Sequence, residues 1–206
     1  MSCLSIPAMD LIRSDTLLQR LPATHLEAGA CLMISGQNGA GKSTLLSRIA
    51  GLSSSASIQT RLPLRLIGHK LSLVDELSVM ENLALMYALD LKKPASDADI
   101  VELLSEVGLT DRRYQPSTRL SAGQKRRLQL SRLWMRPTSP CLWLLDEPLT
   151  ALDSSFHQTL TRRLDELLKL GHGLVITSHQ SILLKSHQVQ NLAFGDLGAQ
   201  AKLSHA

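Results

Sequence analysis

Aromatic side chains are scarce: two Trp, two Tyr and two Phe make up 3% of the 206 residues, and none precedes Tyr87. Surfaces that bind nucleic acid usually interleave aromatics with basic residues. With a net charge of only +4 and one short basic cluster at Lys125-Arg126-Arg127, the scarcity argues against RNA or DNA as the ligand. Cysteine is equally thin. Cys3, Cys31 and Cys141 are odd in number, far apart and without metal-ligand spacing; Cys31 and Cys141 sit in apolar runs and read as small buried residues. No apolar run approaches the roughly 20 residues needed to cross a bilayer. Residues Met1 to Pro7 lack the basic start and apolar core of a secretory signal, so the expected compartment is the cytoplasm.

What is present is ordinary globular composition, 44% hydrophobic and 19% charged, on a chain long enough for one α/β unit with a small appended lobe. The chain is organised around Gly36-Gln37-Asn38-Gly39-Ala40-Gly41-Lys42-Ser43-Thr44. The apolar run Cys31 to Ile34 leads in and Leu45 to Ala50 leads out with helical periodicity, so the stretch reads as strand, glycine-rich turn and helix: a P-loop. Glycines let successive N–H groups converge on phosphate oxygens while the following helix points its positive end at the same anion. Lys42 adds a charge between the β- and γ-phosphates, and Ser43 offers a hydroxyl to Mg²⁺.

The remaining punctuation alternates strand and helix. Residues 1–30 are short strand-like pieces with turns at Pro7, Pro22 and Gly29; Ser53 to Ser57 reads as a surface turn, and Leu64 to Ile67 as a strand closed by Gly68. Ser78 and Glu81 have capping-box spacing ahead of a helix, a second helix is predicted over 97–107 with Gly108 as its stop, and a third runs from Ser121 towards Arg136. Cys141 to Leu145 and Leu174 to Thr177 are continuous apolar runs suited to buried strands, with a helix from about 154 to 170 between them. The pattern predicts a mostly parallel sheet with phosphate chemistry at the carboxyl ends of its strands.

Three sites join the P-loop. Asp146-Glu147 follows a buried strand, where one carboxylate can help hold Mg²⁺ opposite Ser43 and the other can polarise a water; alone the pair reads equally well as the start of a loop, and the P-loop beside it favours the metal site. His179 follows the next strand, aimed at the same end of the sheet. Leu120-Ser121-Ala122-Gly123-Gln124 is a capped helix start with small residues in its first turn, a second anion-binding terminus where one P-loop needs only one. It is either an ordinary capping box or a contact to nucleotide bound by a second copy.

The order of P-loop, helical lobe, Leu120 to Gln124, Leu142 to Glu147, Ala151-Leu152-Asp153 and Thr177-Ser178-His179 resembles the ATP-binding subunits of ABC transporters across nearly the whole chain. The resemblance implies a Walker A loop over 36–44, a signature motif at Leu120 to Gln124, a Walker B strand ending in a metal-holding Asp146 and catalytic Glu147, a D-loop at Asp153 and a switch histidine at His179. It also implies ATP and Mg²⁺ as ligands, and head-to-tail pairing of two copies with ATP between the P-loop of one and the signature of the other. The chain is then a single ABC ATP-binding domain over 1–206, with 1–69 and 121–206 as ATPase core and about 70–120 as helical lobe. Ile67-Gly68-His69, Lys125-Arg126-Arg127-Leu128, Ser131-Arg132-Leu133-Trp134 and Trp143 with Pro148 further resemble the cytochrome c maturation branch. That branch implies an integral membrane partner at the cytoplasmic face of the bacterial inner membrane, and haem delivery through a periplasmic chaperone. The helical lobe near Lys70 to Glu81 is the expected docking region.

Two departures qualify the resemblance. Lys70 stands where the family carries a glutamine that contacts Mg²⁺, and a protonated lysine cannot ligate a metal; slower or differently coupled hydrolysis is expected. The aromatic that stacks on adenine in many relatives is missing, leaving aliphatic contact from Leu17 or Leu18 and weak discrimination against GTP. Seven scattered histidines, His25, His69, His157, His172, His179, His187 and His205, form no haem-attachment pattern, so no direct haem site is inferred. The competing readings are an ABC subunit for peptide, lipid or drug export, a soluble ABC-type ATPase acting on DNA or ribosomes, a P-loop kinase, which would not need Leu120 to Gln124, and an idle scaffold, against which Lys42, Asp146, Glu147 and His179 argue.

Overall fold

The computed structural model describes residues 2–53, 57–180, 182–185 and 188–195. In chain order its elements are β1 (Ser2–Ile6), β2 (Met9–Arg13), β3 (Thr16–Leu21), β4 (Thr24–Glu27), β5 (Cys31–Gly36), α1 (Lys42–Ile49), β6 (Gln59–Thr60), β7 (Leu64–Ile67), α2 (Val79–Leu91), α3 (Asp97–Glu106), α4 (Ala122–Leu130), β8 (Leu142–Asp146), α5 (Ser154–Lys169), β9 (Gly173–Thr177) and β10 (Val189–Phe194). Internal contacts divide them between two compact units, Met1–Leu66 with Pro140–Pro148 and Asp165–Ala206, and Ile67–Ser139 with Leu149–Leu164.

In the first unit the five-stranded sheet runs in the order β10-β5-β9-β8-β7, and the β10–β5, β5–β9 and β9–β8 pairs are parallel. Every residue of β8 and β9 is buried, as continuous apolar strands require when both sheet faces are covered. Leu32 and Ile34 of β5 pack with Leu45, Leu46 and Ile49 of α1, and each such side chain taken from water contributes about 2 kcal/mol of transfer free energy. A second sheet, β4-β1-β6, and the β2–β3 hairpin are antiparallel. The hairpin turns on Ser14 and Asp15, both at positive φ (47° and 61°), the geometry of a two-residue primed turn built without glycine. That composition is why the sequence gives no hairpin signal there. Strand β10 likewise carries no clear strand signal: Val189-Gln190-Asn191-Leu192-Ala193-Phe194 is half-exposed and weakly patterned, and its place at the sheet edge comes from pairing with β5. Part of the expected Ser53 to Ser57 turn lies outside the described residues.

The second unit is helical. Helices α2, α3 and α4 each begin with a reciprocal capping box, Ser78 with Glu81, Ser96 with Asp99 and Ser121 with Gln124. Buried Asn82 braces the approach to α2: its amide nitrogen donates to the carbonyls of Val74, Leu77 and Ser78 while its oxygen accepts from Val74 N–H. This unit is wider than an insertion over 70–120, because α4 and the first part of α5 cluster with it, their apolar faces packing there. The helix expected to run from Ser121 to Arg136 is shorter. It ends at Leu130, where Ser131 Oγ donates to Leu128 O at 2.7 Å and the chain tightens into a 3₁₀ turn over Ser131–Trp134.

Candidate functional site

Strand β5 delivers the glycine-rich turn and α1 leaves it, with Gly41 as a left-handed N-cap (φ 102°) and no side chain capping the helix. A side chain on Gly41 would crowd Leu11 and Leu18, and one on Gly36 (φ 146°) would meet Phe194 O at 2.7 Å and Phe194 Cβ at 2.8 Å. Both positions need glycine for space and for backbone angle. Gln37, Asn38 and Gly39 are exposed, Ala40 and Thr44 half-buried, and Ser43 presents its hydroxyl at the surface in the first turn of α1.

Lys42 is 7% exposed and its Nζ donates to Gly36 O at 2.7 Å and Gln37 O at 3.1 Å. The same ammonium lies 3.6 Å from Glu147 Oε1, and Glu147 Oε2 is 2.9 Å from His179 Nδ1. Lys42, Glu147 and His179, separately chosen from the sequence, are therefore one chain of charged and polar groups. Glu147 sits at positive φ (49°), and its N–H donates to Thr177 O and Thr177 Oγ1, both at 3.1 Å. A non-glycine residue in that region carries strain and needs such support. The turn places the Glu147 carboxylate beside Lys42 and leaves Asp146 6% exposed, accepting from Thr177 Oγ1 at 2.6 Å. Thr177, which the sequence marks only as the end of a buried strand ahead of His179, orients both acidic residues through its register beside Asp146.

Among the described residues no cluster of three His, Cys, Asp or Glu could hold a metal alone. The donors present, an exposed serine hydroxyl at Ser43 and a carboxylate oriented by a threonine at Asp146, fit a hard cation that takes its other ligands from phosphate and water.

In the helical unit Leu120 is buried, Ser121 Oγ accepts from Gln124 N–H at 3.2 Å, and Gln124 Oε1 accepts from Ser121 N–H at 3.0 Å. Ala122 opens α4, and at Gly123 a Cβ would stand 2.7 Å from Ala151 O. Asp153 caps α5: its Oδ1 accepts from Ser155 Oγ at 2.5 Å and Phe156 N–H at 2.9 Å, and its Oδ2 accepts from Arg127. The Ser155 hydroxyl, the Phe156 amide and the Arg127 guanidinium hold this carboxyl well below the usual carboxylate range. Lys70 has an exposed side chain, and its carbonyl accepts from Gln129 Nε2 at 3.0 Å.

Leu17 and Leu18, the expected aliphatic contacts for the base, are both half-buried on β3. Leu18 packs against the core and lies beside Gly41, where a Cβ would stand 3.1 Å from its side chain. A cavity of about 570 Å³ adjoins Ser43 and Thr44 and is lined by Ile12, Arg13 and Arg48 among others. Arg48 Nη2 donates to Ile12 O at 2.6 Å, tying the hairpin to α1. Of the histidines, His172 is structural, its Nδ1 accepting from Cys141 N–H, and His187 and His205 lie outside the described residues.

A family model described as ABC transporter matches residues 22–150. This chain belongs to the ABC transporter family. The cytochrome c biogenesis ATP-binding export protein CcmA of Vibrio cholerae is 32% identical over 207 residues, covering 94% of this ABC chain and 99% of its own length. The protein of the same name from Idiomarina loihiensis is 38% identical, covering 82% of this chain and 81% of its own. Among solved structures, an ATP-binding ABC transporter protein from Pyrococcus furiosus superposes with a TM-score of 0.76 at 22% identity, over 92% of this chain and 96% of that one. A dimeric ATP-binding cassette in a post-hydrolysis state with ADP and Pi gives 0.72 at 20% identity, over 86% and 88%. At those identities the two structures establish the fold of this ABC domain. No helix among its described residues is long and apolar enough to cross a membrane.

Proposed function

We propose that this chain is the ATP-hydrolysing subunit of an ABC transporter complex acting in cytochrome c biogenesis, coupling hydrolysis to haem export or release of a haem-loaded chaperone through a CcmB-like membrane partner. The Lys42–Glu147–His179 chain carries the ATPase part of the reading, and the CcmA relatives, matched over most of their length, support the biological process. In this mechanism the amides of 36–44 and Lys42 bind the phosphates, while Ser43 and Asp146 would hold Mg²⁺, which would supply neutralisation of phosphate charge. Glu147 accepts a proton from the water that attacks the γ-phosphorus as the bond to the β-phosphate oxygen breaks, and His179, donating to Glu147, keeps that carboxylate aimed. A second copy places Leu120 to Gln124 and its Asp153 loop against the same nucleotide, and the membrane partner docks on the helical unit near Lys70 to Glu81. The subunit works peripherally at the cytoplasmic face of the inner membrane. Lys70 makes hydrolysis slower than a glutamine would: Lys70→Gln should raise turnover, and an unchanged rate refutes that role.

The test is Glu147→Gln, read by phosphate release and light scattering with MgATP. Loss of the base should cut turnover about 10²- to 10⁴-fold and trap a nucleotide-bound dimer. A variant that still hydrolyses ATP at the parent rate removes Glu147 as base. Co-purification with the haem-handling membrane subunit, against failure to do so, decides the process.

A further inference from the structure

The second unit contains a connection that ATP binding at the P-loop does not require. Arg127 lies one helical turn after Gln124 on α4, and its guanidinium does two things at once. Its Nη2 donates to Asp153 Oδ2, and the group stacks 4.9 Å from the centre of the Phe156 ring at the start of α5. Asp153 is already committed on its other oxygen to capping α5. Ahead of it, Ala151 is at positive φ (64°), and its carbonyl presses on Gly123, where a Cβ would lie 2.7 Å away. The start of α4 and the loop 149–153 are therefore joined at both ends, by backbone contact without room for a methyl group at Gly123 and by a charged contact at Arg127.

We propose that Arg127 is a positioning residue that makes the start of α4 and the Asp153 loop move as one body, so that both reach a second copy's nucleotide together. This rests on the two-copy reading given above. A cap alone would not need the arginine, because Ser155 and Phe156 satisfy Asp153 Oδ1 without it. Nor would α4, whose first turn is completed by Ser121 and Gln124. Arg127 is spent on the link, and at 24% side-chain exposure it is sheltered enough to hold one geometry.

The experiment uses the full chain. Dimerisation by light scattering is measured in the Glu147→Gln background, and kcat, KM and fluorescent-nucleotide affinity with Glu147 intact. Arg127→Met should leave nucleotide affinity of the single subunit within about twofold, yet lower kcat about tenfold and raise the ATP concentration for dimerisation to match, as misplacement of a remote group does. Arg127→Lys, retaining charge, should recover most of the loss and serves where the methionine variant melts early. Asp153→Asn keeps a good helix cap but removes the carboxylate. It should reproduce the Arg127→Met loss, and the double variant should be no worse than either single one, since coupled groups are not additive. Parent-like dimerisation and kcat in Arg127→Met, or losses that multiply in the double variant, would overturn the inference. A Glu147→Gln parent that never dimerises with MgATP sinks the two-copy reading itself, a separately visible result.

Discussion

Helices α1 and α4 both present an N-terminus suited to an anion, yet they are built in opposite ways. Helix α1 starts from Gly41 with no side-chain cap, leaving its first amides to the glycine turn and whatever binds there. Helix α4 starts from Ser121 with both capping-box bonds made. An uncapped terminus leaves donors unsatisfied until a ligand arrives, whereas a capped one is finished within its own subunit. The first is a terminus left for a ligand to complete; the second is complete on its own, as the proposed presentation to a second copy requires.

That contrast breaks most sharply at Lys42. With MgATP at about 100 times its Kd, the parent should gain about 2.7 kcal/mol of stability, seen as a rise in melting temperature. Lys42→Ala should abolish both the rise and turnover; an undiminished rise would mean that nucleotide completes α1 without the lysine. Next in size is Gly36→Ala, which puts a methyl group against Phe194 at a backbone angle closed to alanine. It should cost about 1–3 kcal/mol in denaturant unfolding and weaken nucleotide binding as β10 is pushed from β5. Removing a cap from α4 and from α2 sharpens the comparison: Ser121→Ala and Ser78→Ala should each cost about 1 kcal/mol, but only the former should lower turnover. Equal turnover in both would demote the α4 terminus to an ordinary helix start. The smallest effect is in pH. The Ser96 hydroxyl and amide hold the Asp99 carboxyl below the usual carboxylate range, so its contribution is present above the unfolded pKa and lost as pH falls through the lower folded one. Asp99→Asn should therefore flatten the acid limb of the melting curve below about pH 4 without changing it near neutrality.

The phosphate-facing half of the site was legible because its chemistry is local: a glycine spacing, an acidic pair after a buried strand, a histidine after the next. The groups that hold those residues in place were not legible, because they arrive from distant segments. Thr177 gains its role only through lateral register with Asp146, and Phe194 only through the edge pairing of β10 with β5. The hairpin turn at Ser14-Asp15 escaped because neither residue carries the glycine or asparagine that announces positive φ. The overlong helix after Ser121 came from reading Pro137 as its stop, when the Ser131 hydroxyl had already closed it. Ser78 with Glu81 and Ser121 with Gln124 form the reciprocal caps that their spacing implies, and Ser96 with Asp99 shows the same device with a shorter acid.

Strand β10 also bears on how the protein is made. The glycine turn follows β5 early in the chain, but the residue that presses on Gly36 is Phe194, at the end of the last described strand. During synthesis from the amino terminus, β5 and α1 leave the ribosome long before their lateral support does. Until β10 emerges, the nascent chain carries the phosphate-binding sequence with that flank of β5 open. The packing around Gly36 is thus completed by a strand far along the chain, and not by the segment that carries the glycine turn.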